Sequence, residues 1–183
     1  MTIKVNEDIV LRQIMVSDFN GIFDIINNQR EYLGKWLPFV EYTREPGDTK
    51  TFIESVVNSP DDRFEHVFTI RYKNEIAGII GFKGSDKANR KTEIGYWLSE
   101  DKQGIGIVTR AVKKLCDFAF KEQYINRIQI KCAVGNIPSS NIPKRLGFKF
   151  EGIERGGELL TNNNFADLEV YSILKTDKLN INY

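Results

Sequence analysis

Gly104 and Gly106 carry the clearest chemistry in this chain. They lie in Glu93-Ile94-Gly95-Tyr96-Trp97-Leu98-Ser99-Glu100-Asp101-Lys102-Gln103-Gly104-Ile105-Gly106-Ile107-Val108-Thr109, between a strand pattern and a helix pattern. A glycine loop in that place leaves backbone N–H groups pointing outward at a helix N-terminus, where the helix dipole and the unpaired amides favour an anion. Glycine has no Cβ, so a phosphate can approach the main chain closely. Two common phosphate loops do not fit. A P-loop needs Lys-Ser/Thr after its second glycine, and Ile107-Val108 follows Gly106. A dinucleotide loop needs a third glycine where Thr109 stands, and an acidic residue near the end of the next strand, which reads Arg127-Ile128-Gln129-Ile130-Lys131.

Other site chemistry has little material. His66 is the single histidine, so neither a His-based triad nor a His-rich metal site is expected, and His66 reads as a strand residue. Cys116 and Cys132 fall in a helix pattern and a strand pattern, as free buried thiols of a reducing compartment. With 183 residues, 41% hydrophobic and 28% charged, the chain suits one well-buried domain over residues 1–183. A net charge of +1 gives no argument for nucleic acid or an anionic membrane as partner. No apolar run approaches the ~18 residues of a membrane span. The N-terminal residues Met1 to Asp8 lack a signal-peptide hydrophobic region. A cytoplasmic location is expected.

The elements that must position the loop read as follows. Ile9 to Arg12 is a first strand, and Ser17 or Asp18 can cap a helix bearing Phe19, Ile22, Phe23, Ile25 and Ile26. An aromatic segment spans Tyr32 to Phe39, and Asp48 can cap a helix with Phe52, Ile53, Val56 and Val57 inward. Strands follow at His66 to Tyr72 and Ile76 to Phe82, joined by Lys73-Asn74-Glu75, and at Lys91 to Leu98. Val108, Ala111, Val112, Leu115, Phe118 and Ala119 give a helix face with 3.6-residue spacing. Arg127 to Val134 is a strand, a short helix ends at Gly147 as its C-terminal cap, and strands run near Phe148–Glu154 and Leu168–Leu174. The glycine-loop helix between two strands is a crossover, while the early hairpin is antiparallel, so the sheet is mixed.

Gln103-Gly104-Ile105-Gly106 resembles the pyrophosphate-binding signature Gln/Arg-x-x-Gly-x-Gly/Ala of the GNAT acetyltransferases, with Gln103 as its leading polar residue directly before Gly104. One helix and one strand later, Asn136-Ile137-Pro138-Ser139-Ser140-Asn141-Ile142-Pro143-Lys144-Arg145-Leu146-Gly147-Phe148 resembles the Asn-x-x-Ser-…-Arg-x-Gly-Phe segment of the same family. Tyr32 to Phe39 and Glu93 to Leu98 add a likeness to its RimJ/RimL-type branch, the ribosomal-protein N-terminal acetyltransferases. The resemblance runs from about Ile9 to Leu174. It implies a single α/β (α+β) GNAT domain, a twisted mixed sheet whose two central strands splay apart, flanked by helices. It implies acetyl-CoA as co-substrate and no metal. Tyr96, Trp97 and Leu98 would meet the pantetheine arm, with Gly95 at a bulge. The amides of Gly104, Ile105, Gly106, Ile107 and Val108, with the Thr109 hydroxyl, would cradle the pyrophosphate. Asn136 would hold the pantetheine or nearby backbone, and Asn141 and Lys144 would join the coenzyme contacts.

Acetyl transfer from a thioester to an amine needs a base for the amine, a donor for the carbonyl oxygen and an acid for the leaving thiolate. An α-amino group has a reference pKa near ~7.7–8.0, against ~10.4 for lysine, so a carboxylate acting through a water can deprotonate an N-terminus at neutral pH. The family pattern offers Glu158, in Gly156-Gly157-Glu158-Leu159-Leu160 after the strand that follows Phe148, and alternatively Glu93 on the strand before the loop. Ser139 is the acid that the resemblance implies, with Tyr171 as a further candidate. Pro143 falls inside the short helix, so that helix is expected to start late or kink, which leaves the aim of Ser139 open. Tyr32, Trp36, Leu37 and Phe39 would wall the acceptor site, with Asn162-Asn163-Asn164-Phe165 as an exposed loop near its mouth. The acceptor implied first is a ribosomal-protein N-terminus. A small amine (polyamine, amino acid or antibiotic) is the alternative, and a non-catalytic acyl-CoA sensor is the reading from another class. A homodimer is open.

Overall fold

The computed structural model describes residues 1–59 and 65–179 of the chain, so the remainder of the expected 1–183 domain lies outside the described residues. Eight strands form one mixed sheet in the order β1-β2-β3-β4-β5-β6-β8-β7. They are β1 (Thr2–Lys4), β2 (Ile9–Gln13), β3 (Val67–Tyr72), β4 (Glu75–Asp86), β5 (Lys91–Leu98), β6 (Arg127–Ala133), β7 (Lys149–Leu159) and β8 (Phe165–Leu174). The helices are α1 (Phe19–Asn28), α2 (Arg30–Gly34), α3 (Phe39–Tyr42), α4 (Pro46–Val57), α5 (Ile107–Glu122) and α6 (Ile137–Leu146).

The β3–β4 hairpin turns on Lys73 and Asn74, both at positive φ (49° and 70°), as a two-residue turn matched to strand twist requires. On one face of the sheet, Val112, Leu115 and Ala119 of α5 and Leu146 of α6 pack with Ile94, Ile128 and Ile130. On the other face, Ile22 and Ile26 of α1, Leu33 of α2, Val40 of α3 and Ile53 of α4 close over Trp97 of β5. Alternation along β5 thus sends Ile94, Tyr96 and Leu98 to one layer and Glu93 and Trp97 to the other.

The feature that matters for the site is where β5 and β6 part. Their parallel pairing holds only at Lys91↔Arg127, Thr92↔Ile128 and Glu93↔Gln129. Beyond Glu93, β5 stays paired to β4 through Leu98, and β6 stays paired to β8 through Ala133. The two central strands therefore open a wedge with a free backbone edge on each side.

Several expectations need correction. Asp48 is not the helix cap: Glu45 holds that position, and Asp48 sits one turn in, accepting from the amides of Arg44 (2.8 Å) and Glu45 (3.0 Å). Those bonds hold its carboxyl below the ordinary range. Asp18 precedes α1 but makes no side-chain cap bond; its buried carboxylate accepts from Met15 N–H, Arg12 and Arg71 instead. Gly95 is not at a bulge, since it pairs regularly with Gly81 and the register break falls between Lys83 and Asp86. Glu158 does not follow its strand but lies in it, opposite Ala166, because β7 continues through register shifts near Gly152 and between Glu154 and Glu158. Phe165 likewise begins β8, and His66 stands just before β3. The three residues of β1 are too few to show a periodicity in the sequence.

Candidate acetyl-transfer site

A cavity of about 640 Å³ opens at the wedge, lined by the glycine loop, the end of β5, the start of α6 and the α2 segment. At its anion end, Gly104 and Gly106 both adopt φ +75°. A side chain at either would be strained, and at Gly106 it would also press on Arg110 Nη1, 3.3 Å from the ideal Cβ position. Gly106 is the N-cap of α5. It has no side chain with which to occupy the first-turn amides, so they stay available to a ligand. Arg110 reaches back from the next turn and donates to Ile105 O at 2.8 Å, which pins the loop and adds a positive charge beside it. Gln103 does not point at the loop's centre; its amide donates to the Tyr32 hydroxyl and ties the loop to α2. What the loop offers an anion is therefore its backbone amides and the neighbouring charge of Arg110.

Tyr96, Trp97 and Leu98 line the same cavity along the free edge of β5. An extended arm carrying amides can pair there as an added strand would. Asn136 caps α6, its carboxamide oxygen accepting from Ser139 N at 3.3 Å. Its side chain is thereby committed to backbone.

Ser139 lines the cavity. Its hydroxyl lies 3.3 Å from Cys132 Sγ and 3.4 Å from the Tyr96 phenol oxygen. α6 starts at Ile137, ahead of Ser139, and continues through Pro143, so the expected late start does not occur. Pro143 has no N–H to give to the carbonyl four residues back, which is that of Ser139. The Tyr96 phenol donates to that carbonyl instead, at 3.0 Å. The bond missing from the helix is thus made across the wedge. Burial pushes the Tyr96 phenol well above its ordinary value and raises the Cys132 thiol. Both stay neutral at physiological pH.

The two base candidates sit together on the other face of the sheet, outside the residues that line the cavity. Glu93, at the last paired position before the wedge, is buried, accepts from Gln129 Nε2 at 3.0 Å and meets Lys83 Nζ at 2.8 Å. Glu158 is half-buried in β7. Both, with Glu154, lie about the ammonium of Lys131, which bonds Glu154 at 2.6 Å and whose pKa they raise.

Tyr32, Trp36 and Leu37 line the cavity, whereas Phe39 is exposed and does not. The Trp36 ring stands 3.8 Å from where a Gly135 Cβ would be, closing the mouth against the β6–α6 turn. Asn141 and Lys144 also fall outside the lining. Lys144 turns behind α6 to Ser140 Oγ (3.2 Å) and Glu169 (3.8 Å). Tyr171 is buried, its hydroxyl donating to Glu169 at 3.0 Å, and does not reach the cavity. Sequence reasoning did not assign Leu33, Lys102, Arg110, Pro138, Ile142 and Arg145 to the site, and all six line the cavity. Spacing carried the signal for two: Ile142 and Arg145 follow Ser139 at successive steps of three, on one helix face.

Comparison with known proteins decides the family. Residues 8–149 match the acetyltransferase (GNAT) domain. The chain belongs to the GNAT acetyltransferase family. It is 37% identical over 182 residues to the putative ribosomal N-acetyltransferase YdaF of Bacillus subtilis (strain 168), covering 96% of each protein. Its fold superposes with a TM-score of 0.90 on RimL, a ribosomal L7/L12 alpha-N-protein acetyltransferase solved with coenzyme A, at 25% identity over 95% of this chain and 98% of that one. The microcin C7 self immunity acetyltransferase MccE, solved with acetyl-CoA and AMP, superposes with a TM-score of 0.89 at 32% identity, over 93% and 94%. This GNAT enzyme is thus an N-acetyltransferase whose co-substrate is acetyl-CoA. Among the described residues no group of His, Cys, Asp and Glu could hold a metal ion, and no helix is long and apolar enough to cross a membrane.

Proposed function

We propose that this GNAT enzyme acetylates the N-terminal α-amine of a ribosomal protein in the cytoplasm. The observation that carries the reading is the wedge. The Ser139 hydroxyl lines it on the α5–α6 face, and Glu93 and Glu158 stand near Lys131 on the opposite face of the sheet, outside the cavity lining. A thioester lying in the gap would have an acid on one side and carboxylates on the other, as general acid–base acyl transfer requires. The coenzyme's pyrophosphate would rest on the amides of Gly104 to Val108 beside Arg110. Its pantetheine would run along Tyr96 to Leu98, and the acceptor would enter past Trp36. Glu158, working through a water, is the first base and Glu93 the second, since Glu93 holds the Lys83 ammonium in a direct ion pair at 2.8 Å, whereas the ammonium near Glu158, that of Lys131, is bonded by Glu154. The protein acceptor follows YdaF and RimL, which are ribosomal-protein acetyltransferases by name. A small nucleotide-bearing amine is the second reading, favoured by AMP beside acetyl-CoA in MccE.

The test is free-thiol release from acetyl-CoA with peptides bearing free or blocked N-termini, with polyamines and with aminoacyl nucleotides. Acetylation confined to free peptide N-termini is expected; turnover only with small amines would overturn the protein-acceptor reading. Under the same assay Glu158→Gln should lower kcat/KM at neutral pH by ~10²–10⁴-fold and Glu93→Gln by less. The reverse order would put the base on β5.

A further inference from the structure

The Tyr96 phenol reaches Ser139 from β5, a strand that α6 meets only across the wedge. It makes two contacts there: it donates to the Ser139 carbonyl at 3.0 Å, and its oxygen accepts from the Ser139 hydroxyl at 3.4 Å. The first stands in for the donor that Pro143 lacks. The second has a chemical consequence. A serine hydroxyl is a far weaker acid than a thiol, so a serine that protonates a thiolate unaided is left as an alkoxide. A phenol, with a reference pKa of ~10, is a stronger acid than an alcohol, and burial of Tyr96 raises that value without making it an alcohol.

We propose that Tyr96 is a positioning residue that acts through Ser139 and supplies the proton Ser139 passes on. As the thioester C–S bond breaks, its electron pair goes to the coenzyme sulfur and the sulfur takes the Ser139 proton; the Ser139 hydroxyl has then turned from the phenol to the sulfur, and the phenol hydrogen turns from the Ser139 carbonyl to the Ser139 side-chain oxygen and passes to it. The phenolate regains a proton from the one that the acceptor nitrogen loses as the amide forms. The inference rests on the reading of Ser139 as the acid. Cys132 from β6 is the nearest titratable neighbour, with Glu169 of β8 and Lys144 of α6 behind it. Cys132 is buried and off the cavity wall, whereas Tyr96 lines the cavity and can be reprotonated from it. The role needs the phenol protonated. Burial raises its pKa, so the rate falls only as pH climbs through that raised value.

The experiment uses the full chain, acetyl-CoA and a peptide beginning with serine, or the amine that the acceptor survey identifies. Tyr96→Phe and Ser139→Ala should each lower kcat by ~10²-fold or more, with coenzyme affinity retained. The double variant should be no slower than either single one, because the two residues act as a unit. Cys132→Ala should keep its rate. With 3,5-difluorotyrosine at position 96, a more acidic phenol, turnover should return and the basic limb of the kcat–pH profile should move down; a ring that only packs would not move it. Additive losses, an unmoved limb, a loss in Cys132→Ala matching that of Tyr96→Phe, or a near-normal Tyr96→Phe beside a slow Ser139→Ala would each overturn the inference and leave the Ser139 reading standing. A near-normal Ser139→Ala removes both. If Tyr96→Phe does not fold, the difluorotyrosine limb decides.

Discussion

Two helices start at the same cavity, and they start differently. α6 opens on Asn136, whose side chain takes up the Ser139 amide, followed by Pro138 in its first turn. α5 opens on Gly106, left-handed and without a side chain, followed by Ile107 and Val108. A helix start normally finds a partner for its first amides. The α6 start is closed by its own chain, and the α5 start is left for a ligand. The closed start can afford to be rigid, and it is the one that presents a side chain, Ser139, to the reaction. On the proposed reading, one end of the cavity binds with backbone and the other works with a hydroxyl.

The largest effect should come from closing the open start. Gly106→Asp places a carboxylate where the pyrophosphate would rest and lets it cap α5 from within. Acetyl transfer should be lost at every attainable acetyl-CoA concentration, as measured by thiol release, while the fold survives by circular dichroism. A variant that turns over normally would remove the loop from the site. Next comes the hydroxyl of the closed start. Ser139→Ala should lower kcat by ~10²-fold or more and leave the acetyl-CoA affinity in place. A change within about twofold, far short of that general-acid scale, would make Ser139 a helix-start residue only. The smallest effect should come from opening the closed start. Asn136→Ala removes one capping bond and should cost about 1 kcal/mol of stability in urea unfolding. Coenzyme affinity should not rise, because α6 has no glycine loop to bring a phosphate close. A gain in affinity would mean that any uncapped helix start serves here.

What could be read beforehand follows the same division. The glycine loop was legible because everything it needs is contiguous: a strand end, two glycines and a helix start within Glu93 to Thr109. The helix face from Val108 to Ala119 was legible from its spacing, and all its members are buried. The wedge was not legible from residues, since it depends on pairing between Glu93 and Gln129 stopping where both strands continue. Only the family likeness supplied it. Pro143 threatens Ser139 in a local view, which sees the lost bond and not its replacement from Tyr96, 43 residues before Ser139. Glu158 was placed after its strand because register shifts break the alternation by which β7 would have been followed. Lys144 was assigned to the coenzyme, but a helix face turned by one residue sends it to Glu169.

The contrast between the two starts reduces to one measurement: the rise in melting temperature on adding coenzyme A to the wild type, Asn136→Ala and Gly106→Asp. Ligand binding to the folded state raises stability by mass action. The wild type and Asn136→Ala should shift upward by the same amount at saturating coenzyme A, and Gly106→Asp should not shift. Equal shifts in all three proteins would contradict the assignment of the α5 start as the place where the coenzyme is held.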